Sequence, residues 1–102
     1  MPAAHRENDK RSDSTQSKTI VKGQNSVYVN DKLWAVEDDE ETDGFGHLIS
    51  RSPGTIYIGD KKIIVEKIDD AKPDGRCGQQ GADPEHCHPH PTEGSPNVFC
   101  YD

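Results

Sequence analysis

The residues best suited to chemistry are crowded into one stretch. Residues 70–94 read DAKPDGRCGQQGADPEHCHPHPTEG and hold Cys77, His86, Cys87, His88 and His90. Thiolate and imidazole are the donors zinc prefers, in closed tetrahedral sites. Pro84, Pro89 and Pro91 stiffen this stretch, and Gly75, Gly78 and Gly81 let it bend around an ion. The spacing is not that of a Cys-x-x-Cys finger, so the clustering carries the reading. His86, His88 and His90 also alternate, which in a strand places them on one face. The alternative use of the thiols is a single Cys77–Cys87 bridge. An odd count of 3 cysteines and no apolar leader in MPAAHRENDKRSD speak against a disulfide scaffold. A Cys–His nucleophile pair exists on residue types alone. No Gly-x-Ser-x-Gly, phosphate loop or His-Glu-x-x-His accompanies it, and no enzyme is expected.

The elements that position these residues belong to a small, polar chain. At 102 residues it is a single domain, 1–102, and its core must be thin. Apolar residues make up 29% against 30% charged, so something besides burial must hold the body together. A net charge of -7 disfavours nucleic acid and anionic membrane surfaces as stable partners. No segment reaches the roughly 20 apolar residues of a membrane span.

One strand phrase is written in three versions: SVYVNDK at 26–32, TIYIGDK at 55–61 and NVFCYD at 97–102. The second and third follow Ser52-Pro53 and Ser95-Pro96. Short β-branched runs bounded by Gly, Asn and Asp read as strands, and Asn30-Asp31 and Gly59-Asp60 as their turns. Leu33 to Val36 and Ile63 to Val65 return. Residues 6–17 read as a polar loop or arm. The acidic run at 37–41 reads as solvated, although its carboxylates suit a hard cation. Trp34 reads as core or base contact, Cys100 as a structural thiol, and His5 as a surface or packing residue. Internal repetition of this kind dictates architecture and points to an all-β body of three similar units.

These phrases resemble the PAAR-repeat family. The resemblance is carried by GSPNVF at 94–99, SPGTIYIGDK at 52–61 and NSVYVNDKLWAVEDD at 25–39, with residues 4–9 similar to the tail of a further tetrad. It covers residues 20–102 well and 1–19 loosely. The Pro-Ala-Ala-Arg tetrad is degenerate, reading Leu-Trp-Ala-Val in one unit and Lys-Ile-Ile-Val in the next.

The resemblance implies a small conical β-fold of three pseudo-threefold repeats with a metal-braced tip. It implies a structural protein that caps the trimeric β-helical spike of a contractile injection machine, one chain per trimer, and touches the target membrane only transiently. The place would be a phage virion, at the baseplate spike tip assembled in the host cytoplasm, or a bacterial secretion apparatus. The metal would be zinc, drawn from His47, Cys77, His86, Cys87 and His88, with Asp43 in a family ligand position. Iron held by His-x-His motifs from three chains is the alternative. Val27, Tyr28, Ile56, Tyr57, Val98 and Phe99 would be split between core and docking base. An intracellular zinc-binding adaptor is the competing class and a small metal hydrolase the third.

Overall fold

The computed structural model describes residues 2–12, 14–52 and 55–100, with side chains described for all of these but 14–17. Pro53 of the second Ser-Pro pair, and Tyr101 and Asp102 of the third phrase, lie outside the described residues. The fold is all-β, with one single-turn 3₁₀ helix, Pro84–Cys87. The strands are β1 (Lys10–Arg11), β2 (Ser14–Ile20), β3 (Tyr28–Val29), β4 (Lys32–Leu33), β5 (Glu40–Glu41), β6 (Leu48–Ile49), β7 (Tyr57–Ile58), β8 (Lys61–Lys62) and β9 (Asp70–Ala71). They form a β1-β2-β5 sheet and the pairs β3-β4, β6-β9 and β7-β8, all antiparallel.

The centre is a ring of three segments. The His5 N–H donates to the Ile64 carbonyl (3.0 Å), Ala35 N–H to His5 (2.9 Å), and Ile64 N–H to Ala35 (3.0 Å). The flanking residues bridge in the same rotation: Ala4 with Val65, Arg6 with Trp34, Val36 with Ile63. Each segment is bonded to both others, so none of the three is an open edge. Each also takes a strand phrase at the same place. Trp34, Ile63 and Ala4 donate their N–H groups to the carbonyls of Val27, Ile56 and Val98, at 3.0, 3.2 and 3.0 Å. The last phrase therefore serves the first segment.

Each segment ends in the same polar turn. Asn8, Asp38 and Lys67 take left-handed backbone angles, with φ of 69°, 73° and 70°. Asp9, Asp39 and Asp69 follow, all buried. One oxygen of each accepts a backbone N–H of its own segment: Arg6 (2.8 Å), Val36 (2.9 Å) and Val65 (2.8 Å). The other oxygen ties in a neighbour. Asp39 accepts the N–H groups of Lys22 and Gly23, and Asp69 those of Arg51 and Ser52 with the Ser52 hydroxyl. Asp9 instead holds the Arg6 guanidinium in a two-pronged pair, 2.9 and 3.0 Å.

Two expectations are corrected here. The acidic run at 37–41 is not a solvated loop, because Asp39 caps backbone donors and Glu41 points inward from β5, both buried. Nor are residues 6–12 an arm: Arg6, Asp9 and Arg11 are buried as mutually compensating polar groups, a pattern no apolar periodicity reveals. The Asn30-Asp31 turn agrees with the sequence reading, both residues having positive φ (53° and 65°).

Apolar packing is modest: Val21, Ala35, Leu48, Ile64 and Ala71 make the cluster, with Leu33 against it. His5 is fully buried among polar partners. Its Nδ1 lies 2.7 Å from the Glu93 carbonyl and its Nε2 2.7 Å from Thr19 Oγ1. A carbonyl only accepts, so Nδ1 carries the proton and the Thr19 hydroxyl donates to Nε2 in the neutral ring. Burial pushes the His5 pKa down from 6.5 to about 4.

Two stability outcomes follow from these contacts. The unfolded chain protonates His5 near pH 6.5 and the folded chain only near 4. Its contribution is thus full above pH 6.5 and is lost as pH falls toward 4, a change of roughly 3 kcal/mol at 1.36 kcal/mol per unit. Urea midpoints measured across that window will fall for the native chain and fall less for His5→Gln. Asp39→Ala leaves three buried or half-buried N–H groups without an acceptor and costs about 3 kcal/mol or more. Lys72→Ala, at an exposed position, stays within about 0.5 kcal/mol.

Candidate functional site

The chemistry-bearing side chains sit on the connections that leave the ring. The first, between β5 and β6, is a tight turn in which Glu41 N–H donates to the Phe45 carbonyl and Gly44 N–H to the Glu41 carbonyl. Gly46 is required there: its φ is 70°, and a Cβ would stand 2.8 Å from Glu41 Oε2 and 2.9 Å from Arg11 Nη1. The second is the long connection after β9. It folds back on the body through Ala71 N–H to the Pro89 carbonyl and Thr92 N–H to the Lys10 carbonyl. His90 Nδ1 pairs with Ser12 Oγ at 3.0 Å.

Within this connection Cys77 and Cys87 are joined in a disulfide, their Cα atoms 4.7 Å apart. The sequence favoured ligation over this bridge, and the fold brings the two together because the chain turns through Asp74, Cys77 and Gln79. His86 is carried by the 3₁₀ turn, whose start is capped by Asp83 Oδ1 accepting the Glu85 N–H. The ring of His86 is buried, its Nδ1 2.5 Å from Asp74 Oδ2. Asp74 N–H donates in turn to the His86 carbonyl, and Asp74 Oδ1 accepts the Arg76 N–H.

The two connections touch. Asp43 Oδ2 accepts the Gly75 N–H at 3.3 Å, and Phe45 covers Gly75 so closely that a Cβ there would meet its ring at 2.9 Å. This contact assembles three acids: Glu41, Asp43 and Asp74 each offer a carboxylate oxygen, all within 4.8 Å of one another.

The five residues expected to hold zinc do not meet as a set among the described residues. Cys77 and Cys87 are bonded to each other. His47 stands half-exposed beside Glu40, Nε2 to Oε2 3.5 Å. His86 faces Asp74, and His88 is exposed. In this arrangement the residues do not fit a zinc ion. Glu41 and Asp74 were missed as partners of Asp43. A signal for Glu41 exists: Asp39 and Glu41 repeat the i, i+2 spacing of Asp9 and Arg11. Asp74 carries no such mark.

A second region is apolar. Val27, Tyr28, Ile56, Tyr57 and Phe99 are exposed, with Tyr28 at 60%, Tyr57 at 51% and Phe99 at 45%. They are the same adjacent β-branched and aromatic positions in the three strand phrases, with Val98 half-buried. Trp34 instead turns its Nε1–H to the Ile64 carbonyl at 3.0 Å. Cys100 is half-buried, and burial raises its thiol pKa.

No protein-family model, curated protein or solved structure matches the chain.

The bridge spans 10 residues in sequence, so opening it costs about 2–3 kcal/mol by loop-closure entropy. Dithiothreitol will lower the unfolding free energy of the native chain by that amount, read as a fall in its urea midpoint. A Cys77→Ala/Cys87→Ala chain will start from the lower value and show no further change on reduction.

Proposed function

We propose that the chain is a structural spike tip: a conical body of three pseudo-equivalent repeats that caps the trimeric β-helical spike of a phage tail or a secretion machine. The observation that carries this reading is the display of an exposed aromatic, Tyr28, Tyr57 and Phe99, at the same place in three phrases bonded at equivalent places to a closed ring of three segments. A single chain whose surface repeats itself in three directions matches a partner with a threefold axis. Exposed aromatics are the residues that anchor interfaces, and scattered charges elsewhere keep the rest of the surface soluble.

The role is mechanical. The assembled machine drives the spike, and a narrow cap concentrates the force. Such a cap has little volume for an apolar interior, and polar cross-links replace it: the buried aspartates, the Arg6–Asp9 pair and the Cys77–Cys87 bond. Zinc is not carried into this proposal, since the expected donors do not converge.

The test is co-purification with a trimeric β-helical spike fragment of a contractile tail, read by native mass spectrometry. One chain per trimer is expected. The triple variant Tyr28→Ser, Tyr57→Ser, Phe99→Ser will weaken the complex by roughly 100-fold or more, with the melting temperature of the free chain nearly unchanged. Absence of a complex, or one indifferent to these substitutions, overturns the reading.

A further inference from the structure

We propose that Glu41, Asp43 and Asp74 bind one hard divalent cation, calcium in preference to zinc or magnesium. The site joins the two connections and is independent of any docking partner. Their three carboxylate oxygens lie within 4.8 Å of one another. Calcium takes oxygen donors at about 2.3–2.6 Å, so oxygens separated by up to roughly twice that distance reach a common ion. Magnesium, at about 2.1 Å, demands near-ideal octahedral geometry and sheds its waters reluctantly, which disfavours it at a site of side chains from two connections.

An independent observation points the same way. Glu41 is 3% exposed, and its Oε2 has no hydrogen-bond donor among the described residues. The Arg11 guanidinium forms an ion pair with it at 3.7 Å, beyond hydrogen-bond reach, while donating to Thr19 Oγ1 and to the Gly46 and Asp39 carbonyls. A buried carboxylate oxygen without a donor calls for an ion or a water. The neighbouring acids are already oriented: Asp43 Oδ1 by the Phe45 N–H, Asp74 Oδ1 by the Arg76 N–H, Asp74 Oδ2 by His86. A carboxylate oxygen that accepts one hydrogen bond keeps a second lone pair for a metal. Asp43 is exposed, which gives the ion a way in. Three carboxylates against one guanidinium leave a local excess of negative charge that a divalent ion offsets.

The experiment is calorimetric titration of the oxidised full-length chain with calcium, magnesium and zinc chlorides, paired with thermal melts. Calcium is expected to bind once per chain and raise the melting temperature, and magnesium to bind at least tenfold more weakly. Asp43→Asn, at an exposed position, is expected to lower calcium affinity at least tenfold and to lower the metal-free melt only slightly, through the one backbone N–H it no longer accepts. Glu41→Gln should do the same where it folds. Asp60→Asn, a remote exposed acid, should change nothing. No calcium binding at millimolar concentration, equal affinity in Asp43→Asn, or a preference for zinc overturns the proposal.

Discussion

The structure depends on a closed cycle of backbone hydrogen bonds. His5, Ala35 and Ile64 each donate to one neighbour and accept from the other. A cycle of this kind tolerates little variation, since displacing one segment breaks two bonds at once. What keeps the segments in place is polar. Asp9, Asp39 and Asp69 sit where each segment turns away; Asp39 and Asp69 tie their own backbone to a neighbouring stretch, and Asp9 holds both the backbone and the guanidinium of Arg6. Among the described residues, 12 buried polar or charged side chains stand beside 11 buried apolar ones, prolines aside. Hydrogen bonds to ionised acceptors are stronger than neutral ones, and here they do the orienting that apolar packing does in larger domains.

This explains how far the sequence could be read. The Asn30-Asp31 turn and the strands of the first two phrases declare themselves by residue type because they are local, whereas β1, β2, β5 and β9 lie in polar runs that read as loop. The three phrases were legible as repetition. The burial of Arg6, Arg11, Asp39 and Glu41 was not, because charged residues in a row read as solvent-facing until their partners are known. Most of those partners lie far along the chain or across the ring, as Gly46 does for Arg11, although Arg6 meets Asp9 three positions on. The acid cluster hid for the same reason. Asp43 and Asp74 are 31 positions apart (74 − 43) and meet only because the connection after β9 folds over the turn after β5.

The cysteines show the limit of composition. Sulfur and imidazole crowded into one stretch state an affinity for soft or borderline metals, but not whether their atoms converge. In the fold Cys77 lies opposite Cys87 and is bonded to it, and His86 turns to the Asp74 carboxylate. The same stretch is a covalently closed loop resting on the body.

The ends of the chain are stitched together. Ala4 takes the Val98 carbonyl, Ser95 takes that of Ala4, and Cys100 takes that of Pro2. The opening segment consequently has no complete set of neighbours until residues 95–100 have been made, and its other ring contacts come from residues 33–35 and 64–66. Loops that long close slowly, and their closure precedes any reward from the contacts they enable. The seam between residues 2–4 and 95–100 cannot form before residue 100 has been made, and once formed it holds the first ring segment to the last strand phrase like a clasp whose two halves sit far apart on one strap.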